Sequence, residues 1–388
     1  MEQINNLFRN ILAETSTKFI RFIFDQIDLS NQMTAIVGPR GAGKTTLLLQ
    51  LIKLKLPIKN TLYLSADNIY LAETNLFEFA RYFSNHGGKY LFIDEIHKYP
   101  NWSQELKMIY DYLPDLIVVF TGSSILDIYK GYADLSRRVL THYLPGMSFR
   151  EYLLFKSGIQ TPVYTIDEII QNNFSFDGFK PLEQFKMYLE NGYYPFFKAP
   201  GYLERLNNTV NLTLETDITN HSGMNITTVR KLKQLLFIIS QSVPFKPNFT
   251  KIAKIIGISR NQVAEYLNLF ERAGLILQLR EPTQGVRLLG KVQKVYLNNT
   301  NLIYMFAEGQ PDIGNMRETF FFNQLNIKYN VFSAAKGDFQ INDSVFEIGG
   351  QSKKRKQIQN IDNSYIVKDD IEYGFERTIP LWAFGLTY

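Results

Sequence analysis

Through the first 150 residues, short apolar runs alternate with longer stretches of helical period. Met33–Val37, Thr61–Leu64, Tyr90–Ile93 and Leu116–Phe120 are brief, almost wholly apolar and bounded by Gly, Asp or Ser. Runs of that kind predict strands of a parallel sheet covered on both faces. Thr46–Leu54 carries a helical pattern and Pro57 ends it, while residues 1–30 form a helical lead-in with no assignable chemistry. A further alternating run, Val139–Leu144, closes this part of the chain.

The pattern changes at Phe249. Thr250–Ile256 predicts a short helix with Thr250 as its N-cap, Gly257-Ile258-Ser259 a turn, and Arg260–Ala273 a second helix. Val263, Tyr266, Leu267 and Phe270 recur at i, i+3, i+4 and i+7 and bury one face, and Gly274 ends the helix. This is helix-turn-helix spacing, after which Leu275–Leu279 and Lys294–Leu297 can pair as two strands. Beyond residue 301, Met316–Leu325 is helical, and short strands are expected at Asn330–Phe332, Phe339–Ile341 and Val345–Ile348.

Composition narrows the picture. The 388 residues are enough for two or three domains, and the lack of cysteine excludes disulfides, zinc–thiolate sites and thiol nucleophiles. No basic n-region precedes an apolar stretch at the start, and the longest apolar runs are far too short to cross a bilayer. A soluble cytoplasmic protein with no membrane partner is expected. The net charge of +5 is uneven: between Gly223 and Thr300 twelve Lys or Arg face three Glu, a local +9 that leaves −4 for the rest. A local basic block is what a polyanionic partner requires.

The chemistry concentrates in Gly38-Pro39-Arg40-Gly41-Ala42-Gly43-Lys44-Thr45-Thr46, which fills G-x-x-x-x-G-K-[ST] between a strand and a helix. Glycines let the backbone approach a polyphosphate so that its amides cradle the oxygens. Lys44 reaches the β- and γ-phosphates, Thr45 offers its hydroxyl to Mg²⁺, and the helix N-terminus adds partial positive charge. Strand Tyr90–Ile93 runs into Asp94-Glu95. Asp94 is expected to hold Mg²⁺ with Thr45, and Glu95 to polarise an attacking water. Asp67, at the end of an earlier strand, is read as a turn residue or as a site contact.

Thr121-Gly122-Ser123-Ser124 ends another apolar strand. Its hydroxyls, Ser123 foremost, flank the γ-phosphate if that strand lies between the strands ending at Val37 and Asp94; otherwise they cap a turn. Arg137 and Arg138 precede the Val139–Leu144 run, and one of them could answer charge on the γ-phosphate as an arginine finger; a solvated basic pair is the alternative. No Asn-Lys-x-Asp speaks for guanine, and no Leu-Ser-Gly-Gly-Gln marks a transporter ATPase.

From Gly38 to Leu153 the chain resembles the bacterial and archaeal AAA-type ATPases of the additional-strand P-loop class. The resemblance rests on Gly38–Thr46, Phe92–Lys98, Thr121-Gly122-Ser123 and Met147–Leu153, and continues through Asn191–Pro195 and Glu215–Ile218. It implies an α/β P-loop NTPase with a parallel sheet and helices on both faces over residues 1–150. A helical lid or bridge over 151–222, a winged helix over 223–300 and a small α/β restriction-endonuclease-like domain over 301–388 would follow. The Gly-Arg pair usual in that family makes Arg138 the better finger here, although Arg137 replaces the glycine; acting on a neighbour, Arg138 would require a homo-oligomer. Glu318, Asp338 and Glu347 resemble the acid set of endonuclease-like folds, but Gly349 stands where the lysine should, which favours a domain that has lost cleavage, although Lys353 or Lys354 could reach back. The terminal Ile379–Leu386 resembles the family's last strand.

These readings converge on a Mg²⁺-dependent ATPase that couples nucleotide state to the second half of the chain. Double-stranded DNA is a candidate partner through residues 250–295, with Arg260, Asn261 and Gln262 opening the second helix, where base contacts usually sit. Against this, Glu265 and Glu271 are expected on the solvent side of the same helix. A nucleotide-dependent interaction switch with little turnover and an ATP-regulated nuclease are the alternatives.

Overall fold

A computed structural model describes residues 2–68, 71, 74–122, 135–176, 178–219, 226–242, 244, 246–282 and 290–388. The chain divides into two compact units, one comprising Met1–Pro145 with Glu215–Met224, the other Gly146–Leu214 with Asn225–Tyr388.

The first unit is an α/β layer structure. In chain order it contains α1 (Glu2–Glu14), β1 (Met33–Val37), α2 (Lys44–Lys55), β2 (Thr61–Ser65), α3 (Leu76–Asn85), β3 (Tyr90–Asp94), α4 (Trp102–Tyr112), β4 (Ile117–Gly122) and β5 (Leu140–Tyr143). The sheet order is β2-β3-β4-β1-β5, and every pairing is parallel. Parallel neighbours place all their carboxyl ends on one edge, and crevices at that edge are where open α/β sheets hold ligands. All five side chains of β1 are buried, which explains its unbroken apolar run. Helix α3 is capped by Asn75, whose side chain accepts the Glu78 N–H at 2.8 Å.

The second unit begins at α5 (Phe149–Ser157), where Ser148 and Glu151 form a reciprocal capping box. It continues through α6 (Ile166–Ile170), α7 (Pro181–Asn191), α8 (Tyr202–Leu212) and α9 (Ile226–Ser242). Helices α10 (Phe249–Ile256) and α11 (Arg260–Arg272) follow, then β6 (Ile276–Arg280) and β7 (Val292–Leu297), which pair antiparallel. Helix α10 starts earlier than expected because Asn248, not Thr250, is its cap, accepting the Lys251 N–H at 3.0 Å.

Helices α12 (Thr300–Phe306) and α13 (Ile313–Leu325) precede β8 (Val331–Ser333), β9 (Phe339–Ile341), β10 (Ser344–Gly349), β11 (Ser364–Lys368) and β12 (Thr378–Pro380). These five strands form a mixed sheet, β12-β11-β10-β9-β8. The terminal segment is not one strand. Pro380 has no N–H with which to extend the ladder, and Leu381–Leu386 winds into a fully buried 3-10 turn. Edge-to-face rings, such as Phe185 on Phe320 at 4.6 Å and Phe149 on Phe185 at 5.5 Å, fill this unit's core.

Gly38 is set by a close approach: a Cβ there would stand 2.1 Å from the Leu144 carbonyl oxygen. The neighbouring Leu144 N–H donates to Val37 at 2.7 Å, so neither strand can retreat cheaply. Gly38→Ala is expected to destabilise the first unit by roughly 1–3 kcal/mol through overpacking. An earlier midpoint of its denaturant transition is the measurement that checks it.

Candidate functional site

The loop between β1 and α2 rises from the carboxyl edge of the sheet. Gly41 and Gly43 hold φ of 83° and 95°, the left-handed region in which a side chain is strained. Arg21, 4% exposed, braces the loop from behind, donating to the Ala42 carbonyl at 2.6 Å and to Pro145 at 2.8 Å. The sequence pattern gave no sign of this arginine.

Lys44 opens α2 and is buried, its ammonium donating to the carbonyls of Gly38 at 2.8 Å and Pro39 at 3.0 Å. Burial pushes that ammonium down to about 8, against the pull of Asp94 and Glu95. A cation so placed gains from any anion that enters. Thr46 faces outward on the same helix turn.

Asp94 ends β3 and gathers three hydroxyls. Thr45 donates to its Oδ2 at 2.6 Å, Tyr63 to the same oxygen at 3.0 Å, and Thr121 to Oδ1. Thr121 also accepts the Glu95 N–H at 2.9 Å, so β4 orients both acids at once. The strand order explains how: β4 lies between β1 and β3. Tyr63 projects from β2, and burial together with the Asp94 charge keeps its hydroxyl protonated as a donor. The expected place of β4, between the strands ending at Val37 and Asp94, is the one observed, and it sets the Thr121 hydroxyl on Asp94; Tyr63 carries no sequence signal, since its hydroxyl acquires meaning only beside the neighbouring strand.

Glu95 sits at φ 51°, in the left-handed region, directly after β3. One oxygen bonds Lys98 and the other lies 4.0 Å from Arg40. Burial raises its pKa, but the Lys98 bond and charge, then Arg40, outweigh this and hold it below the usual carboxylate range. Lys98 also donates to Asp67 at 2.7 Å, so Asp67 reaches the site through Lys98. Arg40 forks onto Asp217, with Nη2 to Oδ1 at 2.7 Å and Nε to Oδ2 at 3.4 Å.

Of the two further expected participants, Ser123 lies outside the described residues. Arg138 precedes β5, whose Leu140 pairs with Thr34 near the start of β1, while Val37, where the loop departs, pairs with Tyr143. Arg138 therefore lies toward the opposite end of the sheet and binds Asp111, with Nε to Oδ1 at 2.9 Å. Within one chain it does not reach the loop.

In the second unit the acids Glu318, Asp338 and Glu347 meet two lysines. Lys294 donates to Glu318 at 2.9 Å and lies 3.5 Å from Asp338; Lys353 binds Glu347 Oε1 at 2.5 Å. Burial raises the Glu347 pKa, and its other oxygen is buried without a hydrogen-bond partner. A Cβ on Gly349 would fall 2.5 Å from Lys353 Cγ, so the Lys353 stem fills the space a side chain at 349 would need. Among the described residues no group of three or more His, Cys, Asp or Glu is placed to hold a metal ion, and no helix is long and apolar enough to cross a membrane.

Residues 30–153 match the family model of an AAA domain, and residues 182–312 match a domain of unknown function (DUF8612). The parallel sheet and its loop give the first unit an α/β fold of the P-loop NTPase type, and the stretch that matches the AAA domain model lies almost wholly within it. No curated protein matches the chain. Among solved structures, it is similar to the Walker-type ATPase PABY2304 of Pyrococcus abyssi, at 13% identity and TM-score 0.46, over 76% of this chain and 99% of that one. It is similar also to AMPPCP-bound DnaA from Aquifex aeolicus, at 14% identity and TM-score 0.29, over 69% of this chain and 86% of that one. A third likeness is to the S. cerevisiae Hsp104–ADP complex, at 16% identity and TM-score 0.29, over 71% of this chain and 40% of that one. At such scores, function rests on the site's own residues.

Thr121→Val keeps the shape of the residue while leaving the Glu95 N–H and one oxygen of Asp94 without their partner. Unsatisfied buried groups of this kind cost about 1–3 kcal/mol each. A lower thermal midpoint for this variant, with a smaller effect from Thr46→Val on the exposed helix face, is the expected result.

Proposed function

We propose that the chain is a Mg²⁺-dependent ATPase whose nucleotide site is formed by Gly38–Thr46, Asp94 and Glu95. The observation that carries this is the 2.6 Å bond from Thr45 to Asp94, which ties the loop to the acidic strand end. One metal ion could touch both oxygens. Both are hard donors, and Mg²⁺ commonly takes one or two protein carboxylates while keeping waters and substrate phosphates as its other ligands. The donor set thus fits Mg²⁺ without a cluster of three acids. When bound, the ion would neutralise charge between the β- and γ-phosphates.

The protein's own part is positioning. Loop amides and the α2 N-terminus bind phosphate oxygens, and Lys44 exchanges two backbone carbonyls for the more negative phosphates. Thr121 orients Glu95, which accepts a proton from the attacking water once Lys98 and Arg40 release it. Arg138 would act at the site of a neighbouring copy, which makes self-association part of the proposal.

In the second unit, α10, α11 and the β6–β7 hairpin are proposed as a winged helix that contacts duplex DNA. Arg260, Asn261 and Gln262 are exposed at the start of α11. Glu271, expected to face solvent, is instead half-buried on Arg280 at 2.7 Å, which removes one repelling charge. The acid–lysine cluster is proposed as an endonuclease-like site without cleavage, its carboxylates held by lysines. One observation favours the second reading, an ATP-regulated nuclease: Lys353 brings to Glu347 the ammonium that position 349 lacks.

Glu95→Gln is expected to keep ATP binding while turnover falls about a hundredfold or more. Steady-state phosphate release with and without duplex DNA at low salt checks both halves; unchanged turnover in the variant sinks the assignment of Glu95. For the second reading, plasmid nicking with Mg²⁺ or Mn²⁺ is expected to be absent. Nicking that is lost in both Asp338→Ala and Lys353→Met would establish the nuclease instead.

A further inference from the structure

Arg40 occupies the loop's third position, yet its side chain is fixed by an acid 177 residues further along the chain. Asp217 has a side chain 1% exposed and lies in a π-helical turn, Thr213–Ile218, directly after α8. Single π-turns interrupt α-helices at a cost and recur at functional sites. The turn's last four residues belong to the first unit, whereas the chain before Glu215 and after Met224 belongs to the second. This short insertion therefore delivers a buried carboxylate to the phosphate loop.

The surrounding charges are informative. Asp94 is engaged by three hydroxyls, Glu95 by Lys98 and, at 4.0 Å, by Arg40, and Asp67 by Lys98 and Ser65. Asp217 is the acid that Arg40 grips by hydrogen bonds, and its field also reaches Lys44. A planar guanidinium forks onto phosphate as well as onto carboxylate, and prefers the more highly charged partner when both are desolvated. A third phosphate thus competes with Asp217 for Arg40. A diphosphate, held by the loop amides and Lys44, offers little competition.

We infer that Asp217 is a positioning residue of the nucleotide site that holds Arg40 in reserve and so sets the preference between triphosphate and diphosphate. The inference deepens the ATPase reading and rests on it. With a triphosphate bound, Arg40 turns to the γ-phosphate and Asp217 is left buried without its cation, a state that proteins avoid by rearrangement. The π-turn that carries it is the segment under that demand. With a diphosphate bound, the ion pair persists.

The test is equilibrium binding of Mg²⁺–ADP and of a non-hydrolysable Mg²⁺–ATP analogue to the full chain, its Asp217→Asn and Arg40→Gln variants, and the double variant. Asp217→Asn is expected to tighten the ATP analogue about tenfold, within the usual range of coupling between sites, and to leave ADP nearly unchanged. In the Arg40→Gln background the same change should have no effect on either nucleotide. Equal shifts for both nucleotides, or a gain that survives without Arg40, would reduce the pair to a structural ion pair or a general field effect and overturn the inference. Should Asp217→Asn fail to fold, Arg40→Lys provides the measurement, because lysine keeps a charge on Asp217 but cannot fork. Its triphosphate-to-diphosphate preference should change at least about threefold, and an unchanged preference overturns the inference. A wild-type chain that binds neither nucleotide removes the ATPase reading and this inference together; binding without the expected discrimination removes this inference alone.

Discussion

The carboxylate of Asp94 is the junction on which the first unit's site depends. Hydroxyls from α2, β2 and β4 converge on its two oxygens, so four elements share one buried anion. Hydrogen bonds to a charged group contribute about 1.5–3 kcal/mol each. The parallel sheet makes the convergence possible. With every strand running the same way, the ends of β2, β3 and β4 and the loop after β1 all open onto one edge.

Around this junction, charge is distributed so that each buried group has a partner. Lys44 is satisfied by its own loop carbonyls, Arg40 by Asp217, and Arg21 by two backbone oxygens. Low local dielectric strengthens each of these contacts and equally penalises any partner left alone. On the proposed function, an incoming polyphosphate would act on this coupled set rather than on single side chains. Arg21 and Gly38 fix the loop, and Lys44, Arg40 and Glu95 are the groups whose partners such a ligand would exchange.

The second unit arranges similar residue types differently. Its three acids are bound by Lys294 and Lys353, and Lys353 fills space left open by Gly349. Charge is neutralised there by side chains. In the first unit, Asp94 is held by neutral hydroxyls instead. The basic excess of this region is likewise partly internal, since Arg280 serves Glu271.

Much of the first unit was legible in the sequence because its signals are local. Short apolar runs mark strands buried on both faces, a gapless glycine-rich pattern marks the loop, and Asp94-Glu95 follow directly from their strand. The paired β6 and β7 strands and the α10–α11 turn were also visible from periodicity and Gly257. Tertiary structure alone decided the rest. Strand order put Thr121 and Tyr63 on Asp94 and carried Arg138 toward the far end of the sheet. A π-turn brought Asp217 to Arg40 across 177 residues, and of the two lysines able to reach back past Gly349, it is Lys353 that binds Glu347. Sequence patterns record which residues a backbone segment needs for itself; partners chosen by sheet order and chain return leave no periodic trace.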